Sequence, residues 1–237
     1  MKRNPGICVL FDKDGVLLNS TSFHCWVFQE VYRRYFDCII TQEVLDLGHG
    51  RPLNECVVIW NKVLGIDITY REYDAQVCQF IVQPECDERL FGPGLAPELC
   101  DFLDHLRDWN VPVAVVTSNV RHEVVRRFDR LNLWRWFARQ HVITQCDLST
   151  PAKPHPGPFL LAAKRLGVPA EHCVVIGDSA TDIEGAHAAN MAAIGFTGYL
   201  PPERHCTLIH AQRIVNSFNE LNIPVLRHTL GLHPTAW

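Results

Sequence analysis

A chain of 237 residues, 47% hydrophobic and 20% charged, carries enough apolar material for a real core, and its length bounds it to one or two domains. Its formal charge is −4, its basic residues are scattered with Arg33-Arg34 and Arg126-Arg127 the densest pairs, and no apolar run nears the roughly 18 residues that span a bilayer. Global disorder, nucleic-acid binding and a membrane-spanning protein are thereby excluded, and the partner is sought among small molecules. The amino end has neither a long apolar segment nor a small-residue cleavage site, so no signal peptide is expected. Ten cysteines lie dispersed from Cys8 to Cys206 without a CxxC pair. Reduced thiols and a cytoplasmic location are the expectation.

In chain order, five short β-branched runs read as buried strands: Ile7 to Phe11, Val113 to Thr117, His141 to Thr144, Cys173 to Ile176 and Ala192 to Phe196. Helical periodicity lies between them over Pro97 to Asp108, His122 to Leu131, and Pro158 to Leu166 stopped by Gly167. This alternation predicts an α/β fold, a doubly wound parallel sheet covered on both faces, formed by residues 1–16 and 91–237. The interval 17–90 reads instead as an inserted all-helical domain, with helices over Phe23 to Tyr35, Gln42 to Leu47, Pro52 to Leu64 and Tyr70 to Ile81. Gly48-His49-Gly50-Arg51-Pro52 is expected to be a loop, and Phe91-Gly92-Pro93-Gly94 the turn back to the sheet. From Pro224 onward periodicity is lost, which reads as a loosely docked tail.

The chemistry-bearing residues fall where strands end. In an open parallel sheet the ligand crevice lies at the carboxyl edge of the strands. The first strand runs into Asp12-Lys13-Asp14-Gly15 and the fourth into Gly177-Asp178-Ser179-Ala180-Thr181-Asp182. Carboxylates gathered at one partly buried edge repel unless a cation neutralises them, and a few hard oxygen donors favour Mg²⁺ shared with a phosphate. The second strand ends in Thr117-Ser118-Asn119, a hydroxyl and amides opening a helix, and Lys153 sits in the proline-stiffened Pro151-Ala152-Lys153-Pro154-His155-Pro156. Both suit an anion.

These four segments, together and in this order, resemble the motifs of the haloacid dehalogenase superfamily, in its helical-cap phosphatase and phosphomutase branch. The resemblance covers residues 6 to 221 and includes the insert, where Ser20 to Trp26 and Gly50-Arg51-Pro52-Leu53 are similar to a cap's first helix and specificity loop. It implies that Asp12 is the nucleophile and becomes an aspartyl phosphate, with Asp14 as general acid and base. It implies Mg²⁺ held by Asp178, one oxygen of Asp12 and the backbone carbonyl of Asp14, with Asp182 as a ligand or supporting partner. Thr117, the amide of Ser118 and Lys153 would bind the phosphoryl oxygens. Asp14 also argues against a dehalogenase, because a departing halide needs no proton. Asn19 departs from the acidic residue many relatives carry there.

The function expected is hydrolysis of a small phosphorylated metabolite by a monomer or homodimer. The alternative is a phosphomutase of the beta-phosphoglucomutase type using the same residues, and a binding protein without chemistry is disfavoured because Asp12, Asp14, Lys153 and Asp178 are all present. Plain alternatives stand beside the single assignments: Asp182 as a helix cap, Lys153 as a surface lysine, Thr117 and Ser118 as helix-start hydroxyls. In the insert, Arg51 and His24 are candidate substrate contacts, against a solvated loop arginine and a structural histidine. The twelve histidines show no zinc-site spacing.

Overall fold

The computed structural model describes residues 6–48, 53–91 and 94–232. Short β-branched runs cannot satisfy their backbone alone, and here they pair edge to edge. Strand β1 (Cys8–Phe11) is followed, after an excursion through helices, by β2 (Val113–Val116), β3 (Val142–Ile143), β4 (Cys173–Gly177), β5 (Ala192–Phe196) and β6 (Arg213–Val215). Among the described residues the sheet has the order β3-β2-β1-β4-β5-β6, and every pairing is parallel. The chain winds outward from β1 in one direction to β3 and in the other from β4 to β6. The reversal therefore falls between β1 and β4, where such sheets open a crevice at their carboxyl edge.

Helices α1 (Thr21–Tyr35), α2 (Gln42–Asp46), α3 (Leu53–Leu64), α4 (Tyr70–Ile81) and α5 (Pro84–Phe91) lie between β1 and β2. Helix α6 (Pro97–Asp108) precedes β2, α7 (Arg121–Arg130) follows it, α8 (Gly157–Leu166) precedes β4, α9 (Ala180–Ala188) joins β4 to β5, and α10 (Ile223–Thr229) closes the chain. Both sheet faces are covered. On one, Val9, Phe11 and Val115 pack with Leu99 and Phe102 of α6, Val124 and Phe128 of α7, and Ile223 and Leu226 of α10. On the other, Leu10, Ala114 and Val175 meet Phe159 and Ala162 of α8 and Ile183 and Ala186 of α9.

Contacts divide the chain into two units, Met1–Leu18 with Gly94–Trp237, and Asn19–Pro93. The second is helical and has its own aromatic core, in which Tyr32, Trp60, Tyr73 and Phe80 are buried. Tyr32 Oη donates to Asn61 Oδ1 at 3.0 Å, so a buried polar pair is satisfied inside that core. Helix α4 starts at a capping box in which Thr69 and Glu72 bond reciprocally, which fixes its first turn at the residue the periodicity marks.

Three expectations are corrected. The tail does not hang loose: Asn222 caps α10, its side chain accepting from the Val225 amide, Pro224 sits in the first turn, and Leu226 is fully buried. Seven residues are too short for a periodic signal, and packing decides the helix. Strand β6 adds to the five expected strands; it is a three-residue edge strand with Ile214 exposed, too short to show an apolar run. Phe91 ends a further helix, α5, where a turn was expected. His49, Gly50, Arg51 and Pro52 of the expected loop, Gly92 and Pro93 of the expected turn, and the last residues of the tail lie outside the described residues.

Candidate active site

Register brings the motifs together. Phe11 pairs with Val115 on one side and Ile176 on the other, so the residues that follow each strand leave the sheet side by side. The Asp12 amide still donates to Ile176 O at 2.9 Å, and the Thr117 amide to Ile143 O at 3.0 Å, so both residues begin where the ladder ends. Beyond Asp12 the chain folds into a tight turn, with the Gly15 amide on Leu18 O at 2.8 Å and the Leu18 amide on Lys13 O at 3.0 Å. Gly15 has φ +80°, and a Cβ there would fall on the Asp178 carboxylate. Only glycine allows both the backbone and the approach.

Oxygens of Asp12, Asp178 and Asp182 lie within 4.8 Å of one another. Lys153 joins the group from the segment before α8. Its Nζ donates to Asp12 Oδ1 at 2.6 Å, Asp182 Oδ1 at 2.6 Å and Val116 O at 3.3 Å, one acceptor for each ammonium hydrogen. The other oxygen of Asp182 serves the backbone, since its Oδ2 accepts from Ser179 Oγ at 2.6 Å and from the Ser179 amide at 3.3 Å, closing a capping box on α9. Asp182 thus caps α9 with one oxygen and meets Lys153 with the other, and Lys153 is a buried ammonium rather than a surface one.

Two carboxylates share one ammonium and a third lies beside them, and the electrostatics follow. Burial pushes the Asp12 carboxyl up to about 7, with Lys153 opposing and Asp182 and Asp14 adding to the rise. Burial likewise drives Asp178 well above the ordinary carboxylate range, with Asp12 and Asp182 reinforcing it. Lys153 moves the other way: burial alone lowers its affinity for the proton, but the carboxylates of Asp12 and Asp182 more than offset that and hold it charged. An anionic cluster of hard oxygens with protons held up in this manner fits a divalent cation such as Mg²⁺.

Thr117 is buried, its Oγ1 accepting from the Asn119 amide at 3.2 Å and donating to Asn119 Oδ1 at 2.9 Å, while Ser118 is exposed. Helix α7 begins at Arg121, one residue before the expected start at His122, and Ser118 and Asn119 lie in the turn that leads into it. Asp14 lies half-buried in the turn after β1. Its Oδ2 forms an ion pair with Lys13 Nζ at 2.7 Å, and its Oδ1 accepts from Arg127 Nη1 at 2.9 Å. Sequence singles out neither Lys13 nor Arg127, since nothing in the local pattern separates Arg127 from Arg126. In the helical unit, His24 lies on α1 with its ring stacked on Phe28 at 6.3 Å between centroids, and its amide donates to Ser20 O. Arg51 is outside the described residues.

Comparison with known proteins identifies the fold and the family. The chain is 26% identical to a pyrophosphatase, PpaX, of Oceanobacillus iheyensis over 90% of its own length and 94% of that protein. It is 33% identical to the phosphoglycolate phosphatase of Escherichia coli, over 46% of this chain and 42% of that one. The fold superposes on a crystal structure of a family IA hydrolase from Entamoeba histolytica with a TM-score of 0.78 at 22% identity, covering 95% of this chain and 99% of the other. A family model described as haloacid dehalogenase-like hydrolase matches residues 8–190, and with a parallel sheet presenting its carboxylates at one edge, the chain belongs to the haloacid dehalogenase-like hydrolase family.

Proposed function

We propose that this protein is a Mg²⁺-dependent phosphatase of small phosphate monoesters, working through an aspartyl phosphate on Asp12. A phosphatase-type activity is what the family and its phosphatase-named relatives support. The observation that carries the finer reading is the cluster of buried Asp12 and Asp182 with half-buried Asp178, in which Lys153 bridges the first two, an arrangement that is costly unless it binds a cation and an anion in turn.

In this reading an oxygen of Asp12 attacks phosphorus while the bond from phosphorus to the ester oxygen breaks. Asp14 gives that oxygen a proton, so an alcohol departs rather than an alkoxide. Water then attacks the aspartyl phosphate, Asp14 takes its proton, and inorganic phosphate leaves with Asp12 restored. Lys153, already beside the Asp12 oxygen, Thr117 and the Ser118 amide bind the phosphoryl oxygens and stabilise the charge that spreads over them. Asp12 and Asp178 would hold Mg²⁺, with the Asp14 carbonyl and Asp182 in support; bound there, it supplies positive charge that lets a carboxylate and a phosphate approach one another. Asp182 acts on both neighbours at once, orienting Lys153 and anchoring the start of α9. The helical unit is assigned the choice of substrate. Ten free thiols suit a reducing compartment, so the cytoplasm is the proposed location. Among the described residues no helix is long and apolar enough to cross a membrane.

The test is phosphate release from a panel of small phosphate monoesters with and without Mg²⁺, wild type against Asp12→Asn. Release that needs Mg²⁺ and falls at least about 1000-fold in the variant is expected. Retained turnover in Asp12→Asn would sink the covalent mechanism.

A further inference from the structure

Asp14 is gripped at both oxygens by cations buried more deeply than itself. The Lys13 side chain is 0% exposed and that of Arg127 5%, against 22% for Asp14. Withdrawing two cations from water to hold one half-open carboxylate is costly, and a turn whose backbone is already closed by Gly15 and Leu18 gains little in fold from it. The two cations come from different parts of the chain. Lys13 belongs to the turn itself. Arg127 stands on α7, whose Val124 and Phe128 are locked in the core and whose start is separated from Thr117-Ser118-Asn119 by the N-cap Val120 alone. One rigid helix thus joins the segment proposed to bind the phosphoryl oxygens to the side chain that pairs with Asp14.

We propose that Arg127, with Lys13, is a positioning residue that sets the direction of the Asp14 carboxylate for proton transfer to and from the reacting oxygens. This rests on Asp14 being the acid and base of the proposed reaction. A proton donor must come within about 2.6–3.2 Å of the atom it serves. A short side chain on a turn has two torsions by which to miss, and an ångström of misplacement costs up to about 100-fold in rate. A carboxylate offers about four acceptor sites, so being held by two cations is compatible with handling a proton.

Leaving-group dependence tests this. With Mg²⁺ present, kcat/KM is measured for phenyl phosphate, whose departing oxygen needs a proton, and for p-nitrophenyl phosphate, whose departing oxygen needs it far less. The ratio of the two is independent of the fraction of enzyme folded. Arg127→Met is expected to cost phenyl phosphate about 10- to 100-fold more than p-nitrophenyl phosphate. Arg127→Lys, which keeps a buried cation but not the forked geometry, should fall between Met and wild type. In an Asp14→Asn background, adding Arg127→Met should leave the ratio where Asp14→Asn alone put it. A wild-type ratio in both Arg127 variants, or a further shift without the Asp14 carboxylate, overturns the proposal and leaves the acid–base reading intact. An unchanged ratio in Asp14→Asn itself overturns that reading and this inference with it.

Discussion

Single residues in this site do two jobs each, and the demands on them are correspondingly narrow. Gly15 must adopt a positive φ and also leave room for the Asp178 carboxylate. Gly15→Ala therefore forces either the turn or Asp178 aside. The backbone penalty is modest, about 1 kcal/mol, so the variant should still fold. Its Mg²⁺ affinity by calorimetry should drop at least about tenfold and its turnover about 100-fold, because the fault lies in placement. Wild-type Mg²⁺ binding in Gly15→Ala would show that Asp178 is not a ligand. Asp182 is constrained in the same manner, one oxygen on Lys153 and the other on Ser179.

At the scale of elements, the closing helix shows what packing adds to a weak local signal. Helix α10 spans seven residues and would not hold alone in water. Its Leu226 and Ile223 nonetheless pack with Phe218 and Leu221 in the same core as β1. Leu226→Ala should destabilise the protein by about 2–5 kcal/mol, read as a lower urea midpoint with an unchanged slope. A loss below about 0.5 kcal/mol would mean that this segment is the loose tail its sequence resembles. Asp147 does similar work between elements: its carboxylate accepts from the Thr144 amide and hydroxyl and pairs with Arg121 and Arg165. Burial opposes its ionised form, but these partners hold the group down at about 2.

At the scale of the molecule, the carboxylate cluster makes stability depend on pH in an unusual direction. The ordinary Asp value is 3.8 and that of Asp12 is about 7, so across that window the folded state keeps a proton that the unfolded chain gives up. The unfolded state binds fewer protons there, and stability of the metal-free protein must fall as pH rises through the window and level off above it. Asp178, also raised, acts in the same sense. Bound Mg²⁺ replaces those protons, so its stabilising effect should be larger near pH 8 than near pH 5. Thermal melts of wild type and Asp178→Asn check this. The variant should melt roughly 3 °C or more above wild type without metal near pH 8 and gain nothing from Mg²⁺. A lower melting temperature in the variant would mean that Asp178 is satisfied without a cation.

How much of this can be read from the chain follows from what each feature depends on. Parallel strands buried on both faces are continuous apolar runs, so β1, β2, β4 and β5 stand out, and a carboxylate that ends such a run stands out with it. That is why Asp12, Asp14 and Asp178 are legible as candidates along with the sheet's main strands, whereas the order of those strands in the sheet appears only in the structure. Strand β6 and helix α10 are not, because a few residues carry no period and owe their form to the surface they dock on. Arg127 is not, because a helix shows the same pattern whether an arginine faces water or the core, and only the seating of α7 on the sheet turns this one toward Asp14. The class of fold and the chemical groups at its edge are written in local pattern and residue type, and so they are legible in the chain alone. Which cations those groups meet, and how deeply, was decided by tertiary packing, since burial and partnership are properties of neighbours far apart in the chain.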